Sequence, residues 1–263
     1  MNLFSLQNRR ALVTGAAGHI GRAVCDFLAF HGADLVLVDR DQNGLDAVAK
    51  EFHERHCIEV LPKALDLEDS DAINQFNQGL NEELDNLEVI VHCAALVGSN
   101  DLKGWVCEFK DQSEETWMKA MQVNLTSIFQ ITRDLAPLLS KSGLGSIITV
   151  SSIYGVVAPD MRIYGESKMG NPAAYAASKG GLIQYTKWLS TVLAPDVRAN
   201  SISLGGISRG QDEGFVERYC EKTPLGRMGK EEDVLGAVAY FASDASSYVT
   251  GQNLMIDGGW TAW

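Results

Sequence analysis

Residues 11–21 read Ala11-Leu-Val-Thr14-Gly15-Ala-Ala-Gly18-His-Ile-Gly21. An apolar run of strand character passes through a glycine-punctuated turn into a segment with helical periodicity, the form of a dinucleotide phosphate cradle. Glycine lets the backbone turn tightly and approach a pyrophosphate, and the helix N-terminus adds N–H donors and positive potential. Gly15, Gly18 and Gly21 therefore form the expected cradle, with His19 beside it. The next apolar run ends in Val38-Asp39, 24 residues after Gly15. A carboxylate there accepts both hydroxyls of an adenosine ribose and repels a 2′-phosphate, so NAD is expected over NADP. Arg40 pulls the other way, because an arginine can reach a 2′-phosphate.

Working outward, short apolar runs at 11–14, 34–38, 59–61, 89–92, 146–150, 198–202 and 253–256 alternate with helix-like segments at 20–31, 44–56, 69–84, 114–140, 174–193 and 230–242. Alternation of this kind implies βαβ units and a mainly parallel sheet with helices on both faces. The expectation is a single α/β domain over 1–263, Rossmann-like and doubly wound. Ligands in such sheets bind at the carboxyl ends of the strands. The stretch 98–111 holds Trp105 and Phe109 and reads as a loop belonging to the fold.

Composition narrows the function classes. Of the 263 residues 46% are apolar, which suits a globular core, and neither repeats nor low-complexity runs stand out. A net charge of −12 disfavours nucleic acid as a partner, although a local Arg/Lys pocket can still take an anion. The five cysteines, at 25, 57, 93, 107 and 220, are scattered and lack metal spacing, which reads as reduced thiols in a cytoplasmic protein. The start has no secretion-signal pattern, and no span approaches the roughly 18 apolar residues of a membrane helix. His53 and His56 stand three apart without an evident third ligand, so no metal is expected.

The chemistry-bearing stretch is Tyr175-Ala-Ala-Ser-Lys179. Residues at i and i+4 project from one face of a helix. A free phenol has a pKa near 10, and a nearby ammonium favours the phenolate, so the pair can move a proton at neutral pH. A second copy, Tyr164-Gly-Glu-Ser-Lys168, lies eleven residues upstream. Gly170 and Pro172 break any helix after it, whereas Tyr175 opens a long helical continuation, so Tyr175 and Lys179 are the pair expected to act.

Together these segments resemble the compact, single-domain branch of the short-chain dehydrogenase/reductase family, over essentially the whole chain. The likeness rests also on Asp66 after the third strand, Asn124 in Val-Asn-Leu, Ser151-Ser152 after the fifth, and the tail from Thr223-Pro-Leu-Gly-Arg-Met-Gly to Gly251-Gln-Asn-Leu-Met-Ile-Asp-Gly-Gly. It implies reversible oxidation of a secondary alcohol to a ketone. Tyr175 would be the general acid/base, and Lys179 its tuner and a donor to the nicotinamide ribose. Ser152, preferred to Ser151 because it precedes Ile153-Tyr154-Gly155, would hold the substrate oxygen, and Asn124 would keep a water-linked proton route open. By the same resemblance Ile20, Asp66, Leu67, Ala94, Ala95, Gly205 and Ile207 complete the cofactor-binding set.

The chain departs from the family's pattern in four places. His19 stands where the compact branch has its middle glycine, and the Gly-x-x-Gly-x-x-Gly spacing is similar to the extended, sugar-nucleotide branch. His92-Cys93-Ala94-Ala95 replaces the usual Asn-Asn-Ala-Gly. Leu204-Gly205 replaces Pro-Gly, with Arg209 where a threonine often follows. Finally, Tyr175 follows Ser152 by 23 positions where about a dozen is usual. The insertion, about 158–172, carries Arg162, Tyr164, Glu166 and Lys168, and reads either as a solvated loop or subunit contact or as a polar wall for a hydroxyl-rich or anionic substrate. Its flanking Ser-Ser-Ile-Tyr-Gly-Val-Val-Ala-Pro also resembles reductases of surface-sugar and flagellin modification.

Residues 208–220 read as a short polar lid, with Arg209 a candidate partner for a substrate anion. The apolar-ended tail with Trp260 and Trp263, where the family often builds tetramer contacts, suggests a homo-oligomer, expected to be a tetramer. Two other functions stay open: a sugar-nucleotide epimerase or dehydratase with recycled NAD, and a non-enzymatic NAD-sensing protein.

Overall fold

Seven apolar strands form one sheet in the computed structural model, which describes residues 2–97, 102–165, 167 and 169–263. The strands are β1 (Arg10–Thr14), β2 (Asp34–Asp39), β3 (Val60–Ala64), β4 (Val89–His92), β5 (Gly145–Ser152), β6 (Val197–Leu204) and β7 (Asn253–Ile256). All neighbours are parallel, in the order β3-β2-β1-β4-β5-β6-β7. The chain winds outward to β3 and then returns to place β4 against β1, so the strand order reverses between them. That reversal opens a crevice at the strands' carboxyl ends.

Alternation along the strands builds two cores. Ala11, Val13, Leu35, Leu37, Val91 and Ile148 pack on one face with α1 (His19–Phe30), α2 (Gln42–His56) and α8 (Glu232–Ala242). Leu12, Val36, Ile90 and Ile147 pack on the other with α3 (Ser70–Glu83), α5 (Ser127–Ser140) and α6 (Ala173–Val192). Coverage on both sides is why the strands read as continuous apolar runs. Among the described residues no helix is long and apolar enough to cross a membrane.

Two elements differ from the sequence expectation. The helix expected over 114–140 is α4 (Glu114–Met121) and α5 joined by a π-turn, Gln122–Thr126, where the Ser127 N–H bonds to the carbonyl of Gln122 five residues back. The polar lid contains α7 (Glu213–Lys222), capped by the Asp212 carboxylate accepting from the Phe215 N–H at 3.0 Å. Phe215 and Tyr219, one turn apart, are buried in a third, smaller cluster with Ile163, Tyr164, Met228 and Trp260. The lid is amphipathic, and its inner face is aromatic.

Candidate active site

The crevice beside β1 holds a groove of about 310 Å³. Gly15, Gly18, His19, Ile20, Gly21, Asp39, Arg40, Asp66, Leu67, Ala94 and Ala95 line it. Gly18 precedes α1 without a side-chain cap, which leaves the first helical N–H groups for a ligand. A Cβ on Gly21 would stand 2.0 Å from the Gly15 carbonyl oxygen, so only glycine permits this tight start. At the end of β2 the Asp39 carboxylate accepts from the Ala17 N–H at 3.1 Å and from the Arg40 N–H at 2.8 Å. The carboxylate thereby ties the glycine turn to the strand on which a ribose would rest. A pyrophosphate on α1 and a ribose at Asp39 fit these residues.

The groove opens into a second hollow of about 480 Å³, sharing Ile20, Cys93, Ala95, Val97 and Arg209 with it. Ser152, Tyr175 and Lys179 meet there, together with Gly205 and Ile207. Ser151 donates to the Lys179 carbonyl at 2.9 Å and is spent on the helix. Ser152 ends β5 and lines the hollow beside the Tyr175 phenol, its Oγ accepting from the Tyr154 N–H at 3.2 Å. A Cβ on Gly155 would meet the Lys179 carbonyl oxygen at 2.7 Å, which explains the glycine three residues after Ser152. Lys179 Nζ lies 5.7 Å from the Tyr175 ring centre and donates to the Val150 carbonyl at 2.7 Å.

Burial dominates the electrostatics. It raises the Tyr175 phenol above its ordinary value, against a lowering by the Ser152 hydrogen bond. It lowers the Lys179 ammonium to about 8, partly opposed by Cys93. The phenol is therefore neutral near pH 7 and suited to donate a proton, while the lysine keeps most of its charge.

Asn124 is fully buried inside the π-turn. Its Oδ1 accepts from the Leu96 N–H at 2.7 Å, and its Nδ2 donates to the Leu96 carbonyl at 3.0 Å and to Ser178 Oγ at 3.1 Å. Both amide protons are used, so only the second lone pair of Oδ1 remains for the water-linked route that the resemblance implies. Its visible work is to brace the strand-end loop against α6.

The insertion and α7 close the far side. Tyr164 stacks on Phe215 at 5.5 Å, Arg218 Nε donates to the Ile163 carbonyl at 2.9 Å, and Lys222 pairs with Asp160. Tyr164, Met169, Gly170 and Asn171 face the hollow with Tyr154, Phe215, Tyr219 and Met228. Arg162 does not join them: Asp160 holds its guanidinium at 2.8 Å and its side chain is 87% exposed. Arg209 lies where groove and hollow meet, with Nε on Glu231 at 3.1 Å. Lys168, with Glu166, lies outside the described residues. The described wall is thus made of phenols, an amide and thioethers, with its charges turned away. Sequence reading missed Tyr154, Asn171, Phe215 and Tyr219; the i, i+4 spacing of the last two behind a capping Asp212 was the available signal.

Residues 15–261 match the family model described as enoyl-(acyl carrier protein) reductase. The chain belongs to the short-chain dehydrogenase/reductase family. A 3-oxoacyl-acyl-carrier-protein reductase of Thermotoga maritima is 34% identical over 259 residues, covering 97% of this chain and 98% of that one. A short-chain dehydrogenase from Leptospira borgpetersenii, solved with bound NAD+, is 32% identical with a TM-score of 0.85, over 99% of this chain and 96% of that one. A gluconate 5-dehydrogenase from Burkholderia cenocepacia, in complex with NADP and tartrate, is 26% identical with a TM-score of 0.87, over 100% and 98%.

Within this short-chain dehydrogenase/reductase the histidine at the end of β4 is a buried oddity. His92 Nε2 lies 3.2 Å from Thr132 Oγ1, Nδ1 has no partner among the described residues, and burial lowers its pKa to about 3. An unfolded imidazole takes up a proton below about pH 6.5, while the folded one resists until about 3. This contribution to stability is complete above pH 6.5 and is lost as the pH falls towards 3, by on the order of 4 kcal/mol. His92→Asn is expected to flatten the fall of the thermal midpoint across that window, measured by calorimetry; an unchanged acid slope would refute the assignment.

Proposed function

We propose that this chain is an NAD(H)-dependent oxidoreductase that interconverts a secondary alcohol and a ketone on a polar or sugar-type substrate. The observation that carries the reading is the meeting of Ser152, Tyr175 and Lys179 where the dinucleotide groove opens into the aromatic hollow. Bound there, the nicotinamide supplies the hydride acceptor or donor. Ser152 Oγ hydrogen-bonds the substrate oxygen, and the Tyr175 phenol exchanges a proton with it. Lys179 holds positive charge beside the phenol and offers a donor towards the nicotinamide ribose. In the oxidising direction the phenolate takes the alcohol proton as hydride leaves the carbon; reduction reverses both transfers. NADH formation and consumption over sugars, sugar phosphates, nucleotide sugars and simple ketones tests the reading, with Tyr175→Phe as control.

The preference for NAD rests on the Asp39 carboxylate, which a 2′-phosphate would meet. Asp39→Asn keeps an acceptor for the Ala17 N–H but removes the charge. The ratio of kcat/KM for NADPH over NADH is expected to rise about tenfold or more, as befits a charge-assisted hydrogen bond. A wild-type enzyme already faster with NADPH defeats this assignment.

Support for a sugar-type substrate comes from the polar groups of the hollow and from the likeness to a gluconate 5-dehydrogenase. The spacing of Gly15, Gly18 and Gly21 favours a second reading, a sugar-nucleotide epimerase with recycled NAD. Cofactor retained through gel filtration, with no net NADH change during turnover, distinguishes it. The exposed Leu225, Tyr248, Leu254 and Trp263 support a homo-oligomer, a tetramer in this reading, acting in the cytoplasm.

A further inference from the structure

We infer that the hollow selects a neutral, hydroxyl-bearing substrate, with Tyr154 and Asn171 presenting one donor and one acceptor to a hydroxyl close to the reacting carbon. The inference rests on the acid/base reading of Tyr175 above and names the substrate class of that site. The polar groups stand in a row. The Asn171 side chain lies beside the Tyr164 hydroxyl and opposes the rise that burial gives that phenol. Tyr164 donates its only proton to the Tyr154 hydroxyl at 3.2 Å. The Tyr154 proton is thereby left for the hollow, and burial keeps that phenol un-ionised.

At the other end, Asn171 is 8% exposed and its Oδ1 has no partner among the described residues. A buried acceptor without a donor costs about 1–3 kcal/mol, and a ligand hydroxyl relieves it. One hydroxyl can serve both groups, accepting from Tyr154 and donating to Asn171.

Covalent connection sets the position. Tyr154 follows Ser152 by two residues, and its N–H bonds to Ser152 Oγ at 3.2 Å. Asn171 precedes Tyr175 by four residues, just ahead of the Pro172 cap of α6, where the Ala173 N–H donates to Gln112 Oε1 at 3.1 Å. The donor and acceptor thus flank the substrate oxygen's own partners. Charge then narrows the class. Of the cations on the described walls, Lys179 donates to the Val150 carbonyl and Arg209 pairs with Glu231. The remaining lining is uncharged, and its aromatic rings, Tyr154, Tyr164, Phe215 and Tyr219, suit the C–H faces of a neutral polyol or ketose. Tyr164 is a positioning residue: from the wall of the hollow it acts through the Tyr154 hydroxyl.

The test measures NADH-dependent reduction of D-fructose and L-sorbose against cyclohexanone and 2-heptanone, with 5-keto-D-gluconate as the acidic probe. Wild-type kcat/KM for the better ketose should exceed that for the bare ketones at least about a hundredfold. Tyr154→Phe and Asn171→Ala should each shrink that ratio about tenfold. Tyr164→Phe should raise the ketose KM with little effect on kcat. NADH fluorescence titration and thermal midpoints establish that each variant is folded. Preference for the bare ketones or for the acid, or a ratio unmoved in the variants, overturns the inference and leaves the proposed reaction standing. Absence of Tyr175-dependent turnover with every probe overturns the reaction, and the inference with it.

Discussion

Replacing Tyr175 with phenylalanine is expected to lower kcat by about 10²–10⁴-fold, the usual worth of a positioned acid/base group. The phenyl ring keeps the packing of α6 against its neighbours, so NADH affinity, read by fluorescence titration, should stay close to that of the wild type. The pH profile gives a second readout. Because burial raises the phenol, wild-type alcohol oxidation should climb through the alkaline range as phenolate forms, while reduction, which uses the neutral phenol, holds through neutrality. Above about pH 8 the Lys179 ammonium loses its charge and its support of the site weakens. The variant should lose the alkaline climb. Near-normal turnover in Tyr175→Phe, with loss in Tyr164→Phe, would move the chemistry to the upstream tyrosine.

Asn124→Ala is expected to be the most damaging single change to stability near the site. It deprives the Leu96 N–H and carbonyl of their side-chain partners, frees Ser178 Oγ, and opens a void in a fully buried place. At about 1–3 kcal/mol for each unsatisfied buried group, the loss is on the order of 3–5 kcal/mol. A domain stable by about 5–15 kcal/mol would spend much of its margin. Urea denaturation reads this as a lower midpoint with an unchanged slope. Asn124→Asp, which keeps the acceptor and removes the donors, should fall between alanine and wild type; equal midpoints for alanine and wild type would dismiss the bracing role.

The nucleotide half was the more legible part of the chain. A strand, a glycine turn and a helix are consecutive, so Ala11 to Gly21 carry the cradle in local sequence. The acidic end of β2 is likewise local. That Tyr175 and Lys179 share a face was legible from helical spacing, once Gly170 and Pro172 had set the Tyr164/Lys168 copy aside. The substrate side was less so, because its groups come from separate segments that meet only in space. Arg162 looked available until Asp160, two residues away, bound it. Asn171 stood among helix breakers, and nothing local shows that it lines the same hollow as Tyr164. α7 was hidden by the composition of its outer face, although Asp212 and the Phe215/Tyr219 pair marked its cap and inner face.

The π-turn has a consequence for the whole rod from Glu114 to Ser140. One extra residue in a helix shifts everything after it by about 100° relative to what came before. The two halves are therefore out of phase, and a single apolar stripe drawn along 114–140 describes neither. The first half and the turn lie against α6. The second half lies against α3, where Asn77 Nδ2 donates to Asp134 at 2.9 Å. One continuous rod thus serves two partners on different bearings, and the residue at which it changes bearing carries the amide that secures α6.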